Sequence, residues 1–170
     1  KVRTALVSGS SGLREEIEAT GIRTLGDEFM NSVFPGPDIR SRKDFIDVAE
    51  AIASSQERID AVVCGFDWNW SFSRLAFMSV CLQHNPQCLF FATSRDAFDE
   101  LGSTSGMSIK LPAMILPLTV LESSTGRQAT VLGKPSADLG HFLQKRFSFD
   151  WARTCIVGDR LDSDILLGHN

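Results

Sequence analysis

Hydrophobic positions follow two rhythms along this chain, short unbroken apolar runs and stripes with helical spacing, and the two alternate. "TALVSG" (Thr4 to Gly9), "DAVVCG" (Asp60 to Gly65) and "CLFFAT" (Cys88 to Thr93) are runs of the kind that buried parallel strands carry. "GLREEIEATGI" places Leu13 and Ile17 on one helical face, with acids in its early turns and Gly21 as its stop. In "SRKDFIDVAEAIASS", Ser41 stands three residues before Asp44, a capping-box spacing, ahead of a stripe of Phe45, Val48, Ala49 and Ile52. "SFSRLAFMSVCLQ" (Ser71 to Gln83) reads as a Ser-capped helix with Leu75, Met78 and Leu82 aligned. Strands that alternate with helices predict an α/β fold with a largely parallel sheet.

After Asp96 the rhythm breaks into the Gly/Ser-rich "ELGSTSGMSIKLP", which reads either as a hairpin or as a mobile stretch. It then resumes. "PLTVLESSTGR" predicts a short helix with Pro117 in its first turn and Gly126 past its end. "ATVLG" predicts a strand, "SADLGHFLQKRF" a helix starting at Ser136, and "TCIVG" (Thr154 to Gly158) the last strand. There is no internal repeat and no low-complexity linker.

At 170 residues, 43% of them hydrophobic, the chain is long enough for one or two domains with a real core. Its net charge of −4 arises from 17 basic and 21 acidic residues, so no basic field exists to gather nucleic acid or an anionic membrane. Beyond Val131 basic and acidic residues balance, which puts the acidity in the front segment. Cys64, Cys81, Cys88 and Cys155 form no CxxC pair and no secretory stretch precedes the first strand, which predicts free thiols in the cytoplasm. The greasiest segment, Leu111 to Leu121, is too short and too proline-interrupted for a bilayer, which takes about 20 apolar residues. The chain opens on Lys1 rather than methionine, close to a strand-like run, so it is expected to be a piece of a longer protein.

Two places suggest chemistry. In doubly wound sheets ligands bind at the carboxyl ends of strands, where "TCIVG" would deliver Asp159. Asp164 follows five residues later, and oxygen ligands that leave waters in place suit Mg²⁺. The other reading is that Asp162 or Asp164 caps the helix "DILLG". Upstream, "VLGKPS" holds Lys134 between Gly133 and Pro135, a rigid point charge suited to a phosphoryl group, although most lysines are simply solvated. Lys134 and Asp159 leaving two successive predicted strands is a stronger signal than either alone.

"GKPS" followed by "ARTCIVGDRLDSDILLGH" resembles the third and fourth motifs of the haloacid-dehalogenase superfamily of phosphatases. More narrowly it is similar to the group of 4-nitrophenylphosphatase, phosphoglycolate phosphatase and pyridoxal phosphate phosphatase (chronophin). "ALVSGSSGLREEIEATGI", "VVCGFDWNWSFSRL", "PQCLFFATSRD" and "LESSTGRQATVLGKPS" extend the likeness over nearly the whole chain. The resemblance implies a large inserted α/β cap over residues 1–131 and part of a Rossmann-like core over 132–170. By it, Lys134 binds the transferring phosphoryl group, Asp159 is a Mg²⁺ ligand, and Asp164 is the supporting acid of the catalytic and metal site. The cap loop "ATSRDAFDEL" resembles a substrate-specificity loop, with Ser94, Arg95, Asp96 and Asp99 as the residues that contact the leaving group.

The resemblance further implies hydrolysis of a small phosphorylated metabolite through an aspartyl-phosphate intermediate, and a homodimer formed through the cap. The nucleophile would come from a DxDG motif, whereas the only DxD here is Asp162-Ser163-Asp164, followed by Ile165. These residues are therefore expected to be inactive alone. Ser94 replaces the group's usual Asn or Asp, Asp99 stands at a chronophin histidine, and Ala113 and Ile115 occupy glycine positions, so pyridoxal phosphate is not carried over as substrate. The rival reading is a non-catalytic binding or regulatory protein built from the cap. "SGSSG" lacks a GK[ST] ending and reads as a turn. Trp68 and Trp70 read as packing or as a stacking surface, and His84, His141 and His169 match no ligand spacing.

Overall fold

The computed structural model describes residues 1–33, 42–54, 57–104 and 107–170. The chain runs β1 (Thr4–Ser8), α1 (Ser11–Ala19), β2 (Arg23–Leu25), α2 (Asp27–Val33), α3 (Arg42–Ser54), β3 (Ala61–Cys64) and α4 (Phe72–His84). It continues with β4 (Leu89–Ala92), β5 (Phe98–Thr104), β6 (Met107–Pro112), α5 (Ile115–Thr125), β7 (Thr130–Val131), α6 (Ala137–Phe147) and α7 (Leu166–His169). Among the described residues, five parallel strands form one sheet in the order β2-β1-β3-β4-β7, so the fold is α/β. The predicted strand "ATVLG" contributes two residues, Thr130 and Val131, to its edge.

Alternation along β1 divides the core. Ala5 and Val7 face one layer with Leu13 and Ile17 of α1, whereas Leu6 faces the larger layer with Phe77 and Met78 of α4 and Leu118 and Leu121 of α5. The fully buried Leu6, Phe77, Met78, Leu118 and Leu121 each contribute about 1.5–3 kcal/mol. Helix ends follow local chemistry: Ser71 accepts from the Arg74 amide at 3.3 Å, and Gly126 takes the left-handed conformation (φ 67°) that ends α5. The "SGSSG" turn is a packing device. Ser10 caps α1, and a Leu13 methyl lies 2.3 Å from where a Cβ on Gly65 would sit, so a side chain at 65 would have to displace the tip of Leu13.

Some expectations need correcting. "TCIVG" forms no strand: Thr154 to Gly158 pairs with nothing in the described sheet, and Val157 is 92% exposed. An apolar run becomes a strand only where a neighbour's backbone is available, and the sheet ends at β7 on this side. β2 and α2 lie where no element was expected. Trp68 is 74% exposed, edge-on to Phe66, whereas Trp70 packs on the core. The Gly/Ser-rich stretch contains the antiparallel hairpin β5–β6, with the Lys110 ammonium 4.2 Å from the centre of the Phe98 ring. Ser41 and the side chains of Phe45 and Val48 lie outside the described residues. Among the described residues no helix is long and apolar enough to cross a membrane. The four thiols are free, and burial pushes those of Cys64 and Cys81 up to about 12.

Candidate active site

β4 and β7 run side by side, with Ala92 opposite Val131 and the Leu132 amide donating to the Ala92 carbonyl at 2.9 Å. Beyond them the two chains touch: a Cβ on Gly133 would lie 2.0 Å from the Thr93 carbonyl oxygen. Glycine at 133 is thus what brings Lys134 out beside the loop Ser94 to Asp96. The Lys134–Pro135 peptide is cis, and Ser136 caps α6 by accepting from the Asp138 amide at 3.2 Å.

Thirty residues on, a π-helical turn (Leu161–Ile165) carries Asp164 back to this edge. Lys134 Nζ donates to Asp164 Oδ1 at 2.6 Å, and the Arg160 amide donates to Oδ2 at 3.2 Å. Asp164 is buried (7% exposed) and its carboxylate packs on Gly158, where a Cβ would meet its Cγ at 2.3 Å. The hydrogen bond from Lys134 holds the Asp164 carboxyl below the usual aspartate range. Asp164 therefore steadies the lysine with both of its oxygens engaged. Asp159, one residue past Gly158, stands exposed.

The remaining expected residues separate into distinct jobs. Arg95 is taken up by Glu122: its Nη1 donates at 2.9 Å, and the same carboxylate accepts from the Ala129 amide at 3.0 Å. That pairing ties α5 to the loop after β4 and keeps the Glu122 carboxyl low. Asp96 faces Arg160, whose Nη2 lies 3.5 Å from Oδ1. Ser94 is half-buried in the same loop, and Asp99 is exposed on β5 opposite Leu111. Arg160 was not singled out by the sequence, although its place within "GDRLDSD" was a signal. Ser163 Oγ is buried without a hydrogen-bond partner among the described residues. No trio of His, Cys, Asp or Glu able to hold a metal ion occurs among them.

A sequence profile described as HAD-hydrolase-like matches residues 131–170, which include Lys134, Asp159, Arg160 and Asp164. Phosphoglycolate phosphatase 2 of Arabidopsis thaliana is 34% identical over 173 aligned positions, spanning 100% of this chain and 52% of the relative. Chronophin of Mus musculus is 38% identical over 163, spanning 96% of this chain and 46% of the relative. Residues 131–170 are those of a haloacid-dehalogenase-like hydrolase, and the chain as a whole is similar to these phosphatases. A solved member similar to it is the glycerol phosphate phosphatase of Mycobacterium tuberculosis in complex with magnesium, with a TM-score of 0.64 at 26% identity, over 95% of this chain and 38% of that protein. The chain spans about half the length of the curated relatives it matches.

Proposed function

We propose that the natural protein is a Mg²⁺-dependent phosphatase of a small organic phosphate monoester. In this reading residues 1–131 are its substrate-selecting cap and 132–170 part of its core. The observation that carries the reading is Lys134 held at 2.6 Å by Asp164, which in turn packs on Gly158, the residue before the exposed Asp159. A lysine fixed by rigid backbone and a carboxylate presents one positive charge at one place. A phosphoryl group passing through its transition state requires that. The relatives named above are phosphatases, which supports the same chemistry.

The donor set fits Mg²⁺ in part. Asp159 offers a hard, exposed oxygen with room for water, as that ion prefers, whereas both Asp164 oxygens are engaged. Asp159 would therefore hold the ion and Asp164 would act through Lys134. When bound, Mg²⁺ supplies positive charge against the phosphoryl oxygens. The aspartate that receives the phosphoryl group in the aspartyl-phosphate mechanism is not among the residues of this chain, whose only DxD ends at the engaged Asp164. We assign the reading of the leaving group to Ser94, Asp96 and Asp99, whereas Arg95 serves the scaffold through Glu122. We further infer association of two caps, because Trp68 and Phe72 present aromatic surface, and a cytoplasmic setting, because the thiols are free.

Hydrolysis of 4-nitrophenyl phosphate and glycerol 3-phosphate by the natural protein, with Mg²⁺ and with chelator, tests the reading. Turnover that disappears with chelator and returns with Mg²⁺ is expected. No turnover of any phosphomonoester would favour the binding or regulatory alternative.

A further inference from the structure

Arg160 joins the two halves of the site. Its backbone belongs to the acidic turn: the amide donates to Asp164 Oδ2 at 3.2 Å, and the carbonyl accepts from the Asp164 amide at 3.0 Å. Its side chain reaches into the other half. Nη1 donates to the Phe98 carbonyl at 3.1 Å, Nη2 lies 3.5 Å from Asp96 Oδ1, and the guanidinium sits 5.5 Å from the centre of the Phe98 ring. Asp162 holds the fork from behind, accepting from Nε at 3.2 Å and from Nη2 at 3.0 Å. One residue thus contacts both the segment that presents Asp159 and the start of the β5–β6 hairpin, 62 positions apart.

We propose that Arg160 is a positioning residue that sets the distance between the specificity loop and the phosphoryl site, and so determines which leaving groups are accepted. The proposal rests on the phosphatase reading above. Its geometry favours positioning over contact with substrate, because three donors of the fork are given to Asp162 and the Phe98 carbonyl and the fork also lies beside Asp96. It also requires arginine. A lysine ammonium can meet Asp96 but cannot reach a carboxylate, a carbonyl and a ring face from one planar group. A leaving group with hydroxyls, such as glycerol, has polar atoms for the loop to read. Nitrophenolate departs readily without such contacts.

The test uses the natural full-length protein and the substitutions Arg160→Met, Arg160→Lys and Asp96→Asn. With Arg160→Met, KM for glycerol 3-phosphate is expected to rise on the order of tenfold or more, the scale set by small misplacements, and to rise several-fold less for 4-nitrophenyl phosphate. Arg160→Lys should fall between Met and wild type, and Asp96→Asn should move KM in the same direction. Hydrogen exchange over residues 96–101 should quicken in Arg160→Met, a readout that needs no turnover. Equal losses on both substrates, carried in kcat, would overturn the proposal by placing Arg160 in the chemical step. Unchanged exchange would overturn it as well. If Arg160→Met does not fold, Arg160→Lys and Asp96→Asn carry the same two readouts. A wild-type protein that hydrolyses no phosphomonoester would sink the phosphatase reading, while the exchange data still decide whether Arg160 holds the hairpin.

Discussion

The sheet-bearing front of the molecule and the tail after Val131 bury different kinds of atoms. In the front, Phe77, Leu6, Met78, Leu118 and Leu121 are sealed in two apolar layers around parallel strands. In the tail the buried residues are Gly140, Ser163 and Asp164, whereas Val157, Leu161, Phe147 and Trp151 stand exposed. The front is therefore held by non-directional apolar burial. The tail combines close glycine approaches and edge-on aromatic contacts around Trp151 with charges meeting at defined distances. That difference suits the work proposed for each, since a phosphoryl site needs atoms fixed to within tenths of an ångström and apolar packing alone does not aim a charge.

The contrast is broken most severely in the front. Leu118→Ala empties a fully buried position between α5 and α4 and should lower stability by about 2–5 kcal/mol in urea unfolding. A loss below about 0.5 kcal/mol, the range of ordinary surface changes, would mean that the core is not closed as described.

A smaller, pH-confined effect belongs to Asp164. Its folded pKa is depressed by Lys134, so its contribution is present above the ordinary aspartate value of about 3.9 and is lost as pH falls through the lower folded value. Asp164→Asn should therefore weaken the protein at neutral pH and flatten the acid limb of its urea midpoint. An acid limb that keeps its full slope would remove Asp164 from that role.

The smallest effect is expected at Val157. Because the side chain is almost wholly exposed, Val157→Ser should change stability by no more than about 0.5 kcal/mol in the same assay. A loss approaching that of Leu118→Ala would show that Val157 is covered in the natural protein.

The legibility of the sequence divides in a similar way. β1, β3 and β4 were readable because their apolar runs are bounded by turn residues, with β1 and β3 buried nearly throughout and β4 on one face, and α4 and α5 because Ser71 and Gly126 mark their ends. The three residues of β2 make too short a run to stand out. "TCIVG" was misread because an apolar run records a preference for burial, while strand formation also needs a neighbour. At the proposed site, Lys134, Asp159 and Asp164 stood out as candidates through their spacing and their resemblance to family motifs. The Asp164–Lys134 pairing was not, because it joins side chains 30 positions apart. Arg95 stood among the candidate contacts because its loop resembles a specificity loop, and only the tertiary contact with Glu122 shows where its charge goes.

The central claim is that Lys134 and Asp159 form a phosphoryl site, and steady-state hydrolysis of 4-nitrophenyl phosphate by the natural protein tests it most directly. Lys134→Ala and Asp159→Asn should each lower kcat/KM by on the order of 10²-fold or more, as expected when a preorganised charge is removed from the transition state. Asp159→Asn should keep a wild-type unfolding curve because its side chain is exposed, whereas Lys134→Ala should lose about as much stability as Asp164→Asn because it removes the other half of the same pair. Variants that retain activity within about threefold of wild type, far short of that expected loss, would contradict the account.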